Sequence, residues 1–171
     1  MEKFFSILTE KKLLLFFSLI ILITILLGVP FGFHPTDYGF IDSLSYRVFL
    51  GQIPYLDFEY VRPPLSIYFH AIPIYLFGEE NMVISSRIIF YLQLALISFL
   101  SARVLWKSNL ISKEGSYFIC IISFLFSIHN FPATSWHTID GILFSVFSIY
   151  LACLGVLKNS KSFLICSGLL I

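Results

Sequence analysis

Charged residues are scarce in this sequence: Asp, Glu, Lys and Arg together make up 12% of the 171 residues. Apolar residues make up 58%, and the mean hydropathy of +0.90 lies outside the usual range of soluble domains. The sequence also contains no glycine-rich phosphate loop, nucleophile elbow or nucleotide-binding pattern. We therefore expect an integral membrane protein, surrounded by membrane lipid and without a nucleic-acid partner.

Patterns for disulfides and metal sites are also lacking. The three cysteines lie in apolar runs without a CxxC pattern: Cys120, Cys153 and Cys166. The four histidines share no short ligand spacing: His34, His70, His129 and His137. We interpret the cysteines as small core or lipid-facing residues and predict neither a disulfide nor a metal site.

What the sequence has in abundance is long uncharged apolar runs. The first, Leu13 to Val29, has 17 residues and is just long enough to span a bilayer. The predicted spans are about 13–29, 82–106, 115–131 and 139–157, with a partial fifth at 163–171. The fold prediction is an all-α polytopic helical bundle of four complete spans and half a fifth. Because a chain seldom ends in mid-bilayer, we expect residues 1–171 to be the amino-terminal part of one multispanning domain.

A 51-residue loop, 30–80, separates the first two spans and is longer than a simple connection requires. Apolar residues at helical spacing predict an amphipathic helix that runs to Phe49 and stops at Gly51. A second helix is predicted from Leu65 to Phe77, opened by Pro63-Pro64 and closed by the following glycine. It is too short to cross a bilayer, so it should be interfacial or re-entrant. The proline-broken stretch between the two helices should be a packed, extended connection.

The division of charge predicts the orientation of the chain. The side with the long loop holds three of the 11 cationic residues and seven of the 10 carboxylates. By the positive-inside rule, the amino terminus is cytoplasmic and loop 30–80 lies outside. A bacterial inner (plasma) membrane is the expected location.

The long loop carries several short motifs in a fixed order. They are Asp37-Tyr38-Gly39, a helix ending at Gly51, IPYLDF at 53–58, RPPLSIY at 62–68, LFG at 76–78 and then Arg87. Together they resemble the amino-terminal part of the C-type glycosyltransferases, which include the aminoarabinose transferases and the protein O-mannosyltransferases. The resemblance covers about residues 13–106, whereas 115–157 match only as generic apolar helices.

The resemblance implies an inverting hexosyl or pentosyl transfer at the outer membrane face. The donor would be an isoprenoid-phosphate-linked sugar, and the acceptor a lipid, a glycan or a protein of the cell envelope. No cofactor is implied. Family members often carry an Asp-Glu pair at the start of the loop, and Tyr38 occupies the second position here. A paired carboxylate with a divalent metal ion therefore stays an open alternative.

Asp37 is the candidate catalytic base, because it matches the loop aspartate of the family. A carboxylate at the membrane boundary can also have a pKa raised toward a value useful for a base. The alternative is a helix-capping aspartate. Asp42, one turn further along, is expected to be solvated.

The candidate substrate-binding residues lie further along the loop and just beyond it. Tyr38 and Tyr55 could stack on a sugar ring, although aromatic residues are also common at membrane interfaces. Asp57 could orient a sugar hydroxyl or brace the loop through backbone hydrogen bonds. Arg62 and Arg87 could hold a phosphate in a bidentate manner, or could instead pair with nearby glutamates or extend toward water.

A second hypothesis belongs to another class of protein. A non-enzymatic membrane protein, such as a transport or assembly subunit, could keep the loop as a binding surface for a lipid carrier. A transporter would favour polar residues or broken helices at mid-bilayer, and the predicted spans offer few of them.

Overall fold

A computed structural model describes residues 10–31, 39–130 and 133–169. Regular structure in these residues is entirely helical, apart from one isolated bridge between Pro54 and Phe58. The helices are α1 (Glu10–Gly28), α2 (Phe40–Phe49), α3 (Leu65–Phe77), a 3₁₀ turn (Glu79–Asn81), α4 (Met82–Lys107), α5 (Lys113–Asn130), α6 (His137–Leu157) and α7 (Lys161–Gly168). The prediction of an all-α fold is confirmed for the described residues.

Three helical segments are long and apolar enough to cross a membrane: Lys11–Gly28, Glu79–Lys107 and His137–Leu157. Many of their large apolar side chains are exposed, including Leu26 at 64% and Ile149 at 56%. Apolar surface of this extent is unfavourable in water and is normal against lipid. These features indicate a membrane protein.

The third predicted span, 115–131, corresponds to α5, which is not among these three segments. Its 18 residues begin with Lys113-Glu114 and end with His129-Asn130, so the apolar part of the helix is short. The four-span arrangement is therefore a proposal, and α7, with eight residues, is too short to span.

The core of the bundle lies between α1, α4, α5 and α6. Phe90 and Phe124 are completely buried, and the ring of Phe17 meets that of Phe124 edge-on at 5.8 Å between centroids. At one end of α4, Nη1 of Arg87 donates to the carbonyl oxygen of Val29 at 2.8 Å. We call this the loop end of the bundle, because the end of α1 and the starts of α4 and α6 meet there.

Both predicted loop helices are present. The helix α2 ends at Phe49, and Gly51 has a φ of +84°, a left-handed conformation that favours glycine. The helix α3 has the predicted bounds, with Pro64 before it and Gly78 after it. Apolar residues of both helices pack with the connection between them in a small core formed by Ile41, Val48, Phe58, Tyr60, Ile67 and Ala71.

The connection between α2 and α3 is packed, as predicted. Nε of Arg47 donates to Oε1 of Gln52 at 2.5 Å, and Nη2 donates to the carbonyl oxygen of Asp57 at 3.1 Å. The guanidinium carbon also lies 4.4 Å from the ring centroid of Phe58. Arg47 thus fixes the course of this proline-rich segment over α2.

Candidate functional site

The centre of the site is the carboxylate of Asp140, near the start of α6, which is 2% exposed. Nε2 of Gln93 donates to its Oδ1 at 2.5 Å, and Oγ of Ser66 donates to its Oδ2. Nε2 of His70 lies 3.0 Å from Oδ1 and 3.2 Å from Oδ2. The carboxylate therefore joins α3, α4 and α6, and its hydrogen bonds offset the penalty of removing a charge from water.

The polar cluster continues from His70 toward α2. Nδ1 of His70 lies 2.9 Å from Oγ of Ser135, and that hydroxyl lies 2.6 Å from Oγ of Ser86. The carboxyl group of Asp42 lies near both hydroxyls and lines a small cavity together with Ser86. We call the set of Asp42, Ser86, Ser135, His70, Asp140, Gln93 and Ser66 the buried polar network.

The prediction that Asp42 is solvated is wrong. Its side chain is 6% exposed, because α2 turns it toward the start of α4 and the segment before α6. Burial raises the pKa of Asp42, while the hydroxyls of Ser135 and Ser86 and the nearby imidazole of His70 oppose that rise. Asp42 belongs to the interior of the site.

The order Asp140, His70, Ser135 invites comparison with a nucleophilic triad, but the geometry does not support that use. In the triad template the aspartate orients Nδ1 of histidine and Nε2 activates the serine. Here Nε2 faces Asp140 and Nδ1 faces Ser135. The side chain of Ser135 is also only 1% exposed, so a substrate cannot reach it as a nucleophile.

A pocket of about 310 Å³ opens beside Asp140. Its polar wall contains the exposed side chain of Arg62 together with Ser66 and His137. The lining residues are Arg62, Pro63, Leu65, Ser66, His137, Asp140, Gly141, Phe144 and Ser145. Within the described residues, the guanidinium of Arg62 makes no ion pair with a carboxylate. The pocket thus contains the cation of Arg62 and the carboxylate of Asp140, whose oxygens already accept hydrogen bonds from neighbouring side chains.

An apolar groove of about 590 Å³ adjoins this pocket and shares the walls formed by Leu65 and Phe144. It runs between α2, α3 and α6. Its lining residues are Val48, Gly51, Gln52, Ile53, Leu65, Tyr68, Phe69, Ala71, Ile72, Tyr75 and Phe144. A polar pocket beside an apolar groove suits an amphipathic ligand.

The structure brings only part of the predicted site together. Asp37 and Tyr38 lie outside the described residues, so their roles stay predictions. The hydroxyl of Tyr55 donates to the carbonyl oxygen of Arg62, which ties the pocket arginine to the connection before it. Tyr55 itself is 57% exposed, which leaves its ring accessible for stacking.

Asp57 and Arg87 have structural partners. Oδ2 of Asp57 accepts a hydrogen bond of 2.7 Å from the backbone N–H of Ile53, which is the bracing geometry considered above. Arg87 is 7% exposed and donates to the backbone of Val29 and Phe31. The structure does not place Arg87 in the pocket with Arg62, and the binding roles of Asp57 and Arg87 stay predictions.

Residues of the buried polar network were largely missed by sequence reasoning. The available signal was an ionisable residue in an apolar helix, since Asp140 and His70 each interrupt an otherwise apolar run. The serines gave no signal. Among the described residues, no group of three or more His, Cys, Asp or Glu side chains could hold a metal ion.

The fold and the site define a helical membrane protein with a polar pocket and an adjoining apolar groove at one end of its bundle. Comparison of this chain with protein-family models, curated proteins and solved structures finds no match. The resemblance to the C-type glycosyltransferases therefore stays a prediction from the loop motifs, and the function proposed below is argued from those motifs and the geometry of the site.

Proposed function

We propose that this chain is all or part of a membrane glycosyltransferase. It transfers a sugar from an isoprenoid-phosphate-linked donor to a lipid, glycan or protein acceptor of the cell envelope, with inversion. The order of the loop motifs supports the assignment. The observation that carries it is the polar pocket beside Arg62 and its shared walls with the apolar groove.

The chemistry of an isoprenoid phosphate fits this pair of cavities. The branched hydrocarbon chain would lie against the aromatic and aliphatic walls of the groove, where burial of apolar surface stabilises it. The phosphate would lie at Arg62, whose planar guanidinium can form two parallel hydrogen bonds with it. Asp140 would not repel the phosphate strongly, because donors from Gln93, Ser66 and His70 already surround its charge.

In this proposal Asp37 is the base that deprotonates the acceptor. It precedes α2 in the chain and belongs to the same loop as Arg62. Tyr38 and Tyr55 provide stacking surfaces for the sugar, and Asp57 orients one of its hydroxyls. Arg87 supports the site by fixing the end of α1 against α4.

The proposed orientation has the amino terminus in the cytoplasm and loop 30–80 outside a bacterial plasma membrane. Ser43 and Ser112 are both exposed and lie in α2 and in the connection between α4 and α5. Single cysteines at these positions, with the native cysteines replaced, should differ in reaction with an impermeant thiol reagent on intact cells. Labelling at position 43 alone is expected, and equal labelling at position 112 would contradict the orientation.

Binding of farnesyl phosphate to the purified chain in detergent micelles tests the ligand assignment. We expect saturable binding that Arg62→Gln weakens by roughly 10- to 100-fold, since a hydrogen bond to a charged group contributes about 1.5–3 kcal/mol. Phe144→Ala should also weaken binding. The matched control is Phe126→Ala, because Phe126 is 68% exposed on α5 and lines neither cavity. Equal affinity for farnesol and farnesyl phosphate, unchanged by Arg62→Gln, would contradict the proposal.

One observation favours the alternative of a non-enzymatic protein that binds a lipid carrier. Among the described residues that line the pocket, Asp140 provides the carboxylate. Its oxygens already accept hydrogen bonds from three side chains. A carrier-binding protein needs no free base. Farnesyl-phosphate binding by this protein without release of sugar from a polyprenyl-phosphate sugar would favour that alternative.

A further inference from the structure

The end of the bundle opposite the loop end is strongly basic. The start of α1 and the ends of α4 and α6 lie at this far end, because α1 ends and α4 and α6 begin at the loop end. The described residues there include seven cationic side chains: Lys11, Lys12, Arg103, Lys107, Lys113, Lys158 and Lys161. The same stretches of sequence, 10–12, 103–114 and 158–161, contain two carboxylates, Glu10 and Glu114. The far end therefore favours an anionic ligand.

Three of these cations surround the ring of Trp106, near the end of α4. Nζ of Lys107 lies 4.3 Å from the ring centroid, Cζ of Arg103 lies 4.6 Å from it, and Nζ of Lys113 lies 5.4 Å from it. We call Trp106 and these three residues the tryptophan cluster. The face of the indole ring attracts each cation, but the three like charges repel one another. A bound anion would relieve that repulsion.

The donors of the tryptophan cluster suit the oxygens of a phosphate. Within the described ranges of the chain, Lys107 makes no ion pair with a carboxylate. Its ammonium group has three N–H donors, and the indole ring beside it offers no acceptor atom for them. The planar guanidinium of Arg103 can donate two parallel hydrogen bonds to a phosphate. A phosphate group is therefore the anion that fits the cluster.

An apolar row leads away from the tryptophan cluster along the same face of α4. The row consists of Leu92, Leu96 and Phe99, at intervals of four and three residues that align side chains on one face of a helix. Arg103 follows after four more residues, and its Cζ lies 5.3 Å from the ring centroid of Phe99. Leu92 is 48% exposed and Leu96 is 43% exposed. A ligand with a phosphate head and a hydrocarbon tail therefore fits this face better than a free phosphate does.

We propose that the tryptophan cluster and the apolar row form a binding site for an anionic phospholipid. The phosphate of the lipid lies among the three cations, and an acyl chain lies along the row. Aromatic and basic side chains are common at the level of the lipid headgroups, which is where phospholipid phosphates are found. Trp106 follows Arg87 by 19 residues in α4, about 28 Å along the helix axis, so this site is distinct from the pocket at the loop end.

Trp106 itself reports the occupant of the site. The sequence has two tryptophans, so Trp136→Phe leaves Trp106 as the sole tryptophan. This variant is reconstituted in mixed bilayers of phosphatidylcholine and phosphatidylglycerol, in which one lipid carries bromine atoms on its acyl chains that quench nearby indole fluorescence. We expect brominated phosphatidylglycerol to quench Trp106 at a mole fraction roughly 5-fold or more below that of brominated phosphatidylcholine, because each cation at an anionic headgroup favours binding by about that factor. Equal quenching by the two lipids would overturn the proposal.

Lys107→Gln and Lys158→Gln are the matched pair of variants. Each removes one positive charge from the far end, but the ammonium of Lys158 lies 5.3 Å from the ring centroid of Phe163 and outside the tryptophan cluster. Lys107→Gln should reduce the preference for phosphatidylglycerol by roughly 5-fold, whereas Lys158→Gln should change it by less than about 2-fold because salt screens a distant charge. An equal loss in both variants would show a general attraction to the basic end and would contradict a site at Trp106.

Soluble glycerol phosphate distinguishes a lipid site from a site for free phosphate. In excess, it should not reverse the quenching by brominated phosphatidylglycerol, and reversal would overturn the lipid assignment. If Trp136→Phe does not fold, the phosphatidylglycerol that stays bound after exchange into detergent is counted instead. Retention by the wild type and Lys158→Gln, with loss in Lys107→Gln, is expected, and equal counts in all three would overturn the proposal. None of these measurements involves sugar transfer or farnesyl phosphate, so their outcome is independent of the proposed function.

Discussion

Nε2 of His70 lies 3.0 Å from Oδ1 of Asp140, although the two residues are 70 positions apart in the chain. The contact links α3, a helix too short to cross a membrane, to the start of α6. Both side chains are 2% exposed, so neither group can replace its partner with bulk water. The position of α3 against the bundle therefore depends on a polar contact as well as on apolar packing.

Substitution of Asp140 tests this dependence. Asp140→Leu should destabilise the fold strongly, because Gln93, Ser66 and His70 would each lose their acceptor in a buried site. Each unsatisfied buried group costs about 1–3 kcal/mol, so we expect a loss of more than about 3 kcal/mol. In a protein of this size that corresponds to a fall in Tm of roughly 6–12 °C or more, measurable by intrinsic fluorescence during heating in detergent.

Asp140→Asn is the graded variant, since its carbonyl oxygen still accepts a hydrogen bond. It should lose less stability than Asp140→Leu. Asp57→Asn is the surface control, because Asp57 is exposed and its amide counterpart can still accept from Ile53. An Asp140→Leu protein with the Tm of the wild type would show that the polar contact does not hold α3.

Local sequence signals predicted the helices of the loop well. The bounds of α3 follow from Pro63-Pro64 before it and Gly78 after it, and such signals act within one turn of the chain. The apolar runs likewise predicted α1, α4 and α6. An apolar run alone did not predict the character of α5 correctly. Polar residues at both ends of this helix shorten its apolar part.

The buried polar network could not be predicted, because its members are distant in sequence. Ser66 and Asp140 are 74 residues apart, and periodicity carries no information about which helices become neighbours. The buried face of α2 was also predicted incorrectly. Phe40 fits the apolar pattern yet is 49% exposed, whereas Asp42 and Ser45 are buried against their tertiary partners.

The burial of Asp42 predicts how stability depends on pH. Burial raises the pKa of Asp42 in the folded state above its ordinary value of 3.8, so the folded state binds more protons than the unfolded state just above that pH. The stabilisation from protonated Asp42 is complete below pH 3.8 and is lost as pH rises through the folded-state pKa. Asp42→Asn stays neutral throughout.

The Tm of the wild type and of Asp42→Asn is measured from below pH 3.8 upward. The Tm of the variant should rise relative to the wild type as pH increases. Glu59→Gln is the control, because Glu59 is exposed and its replacement should leave the pH dependence unchanged. A constant difference between wild type and Asp42→Asn at all pH values would contradict the sign of the pKa change.

Close packing of α6 against α7 gives a further prediction. A Cβ atom added at Gly155 would lie 2.8 Å from Cγ of Leu164 and 3.2 Å from the backbone nitrogen of that residue. The backbone of α7 would have to move, so Gly155→Ala should destabilise the protein by about 1–3 kcal/mol. At Gly168 an added Cβ meets nothing within 4 Å, so Gly168→Ala should change stability by less than about 0.5 kcal/mol. Equal Tm values for the two variants would contradict this packing.

The final prediction concerns the proposed role of Asp37 as the catalytic base. Its place in the loop, close after α1 and just before α2, should put its carboxylate where a lipid-borne donor and a water-borne acceptor can meet. Asp37→Asn keeps the size of the side chain and much of its hydrogen bonding but cannot accept the proton. Turnover of a polyprenyl-phosphate sugar should therefore fall by about 10²- to 10⁴-fold, while farnesyl-phosphate binding and expression change little.

Glu59→Gln is the better control for this experiment than Asp42→Asn, because Asp42 is buried in the polar network whereas Glu59 is an exposed carboxylate of the same loop. Its turnover should match that of the wild type. If Asp37→Asn transfers sugar at the parental rate while Asp57→Asn does not, the base lies in the connection after α2. Asp57 would then take the role, and loss of its hydrogen bond to Ile53 would have to be separated from loss of the base by a full pH–rate profile.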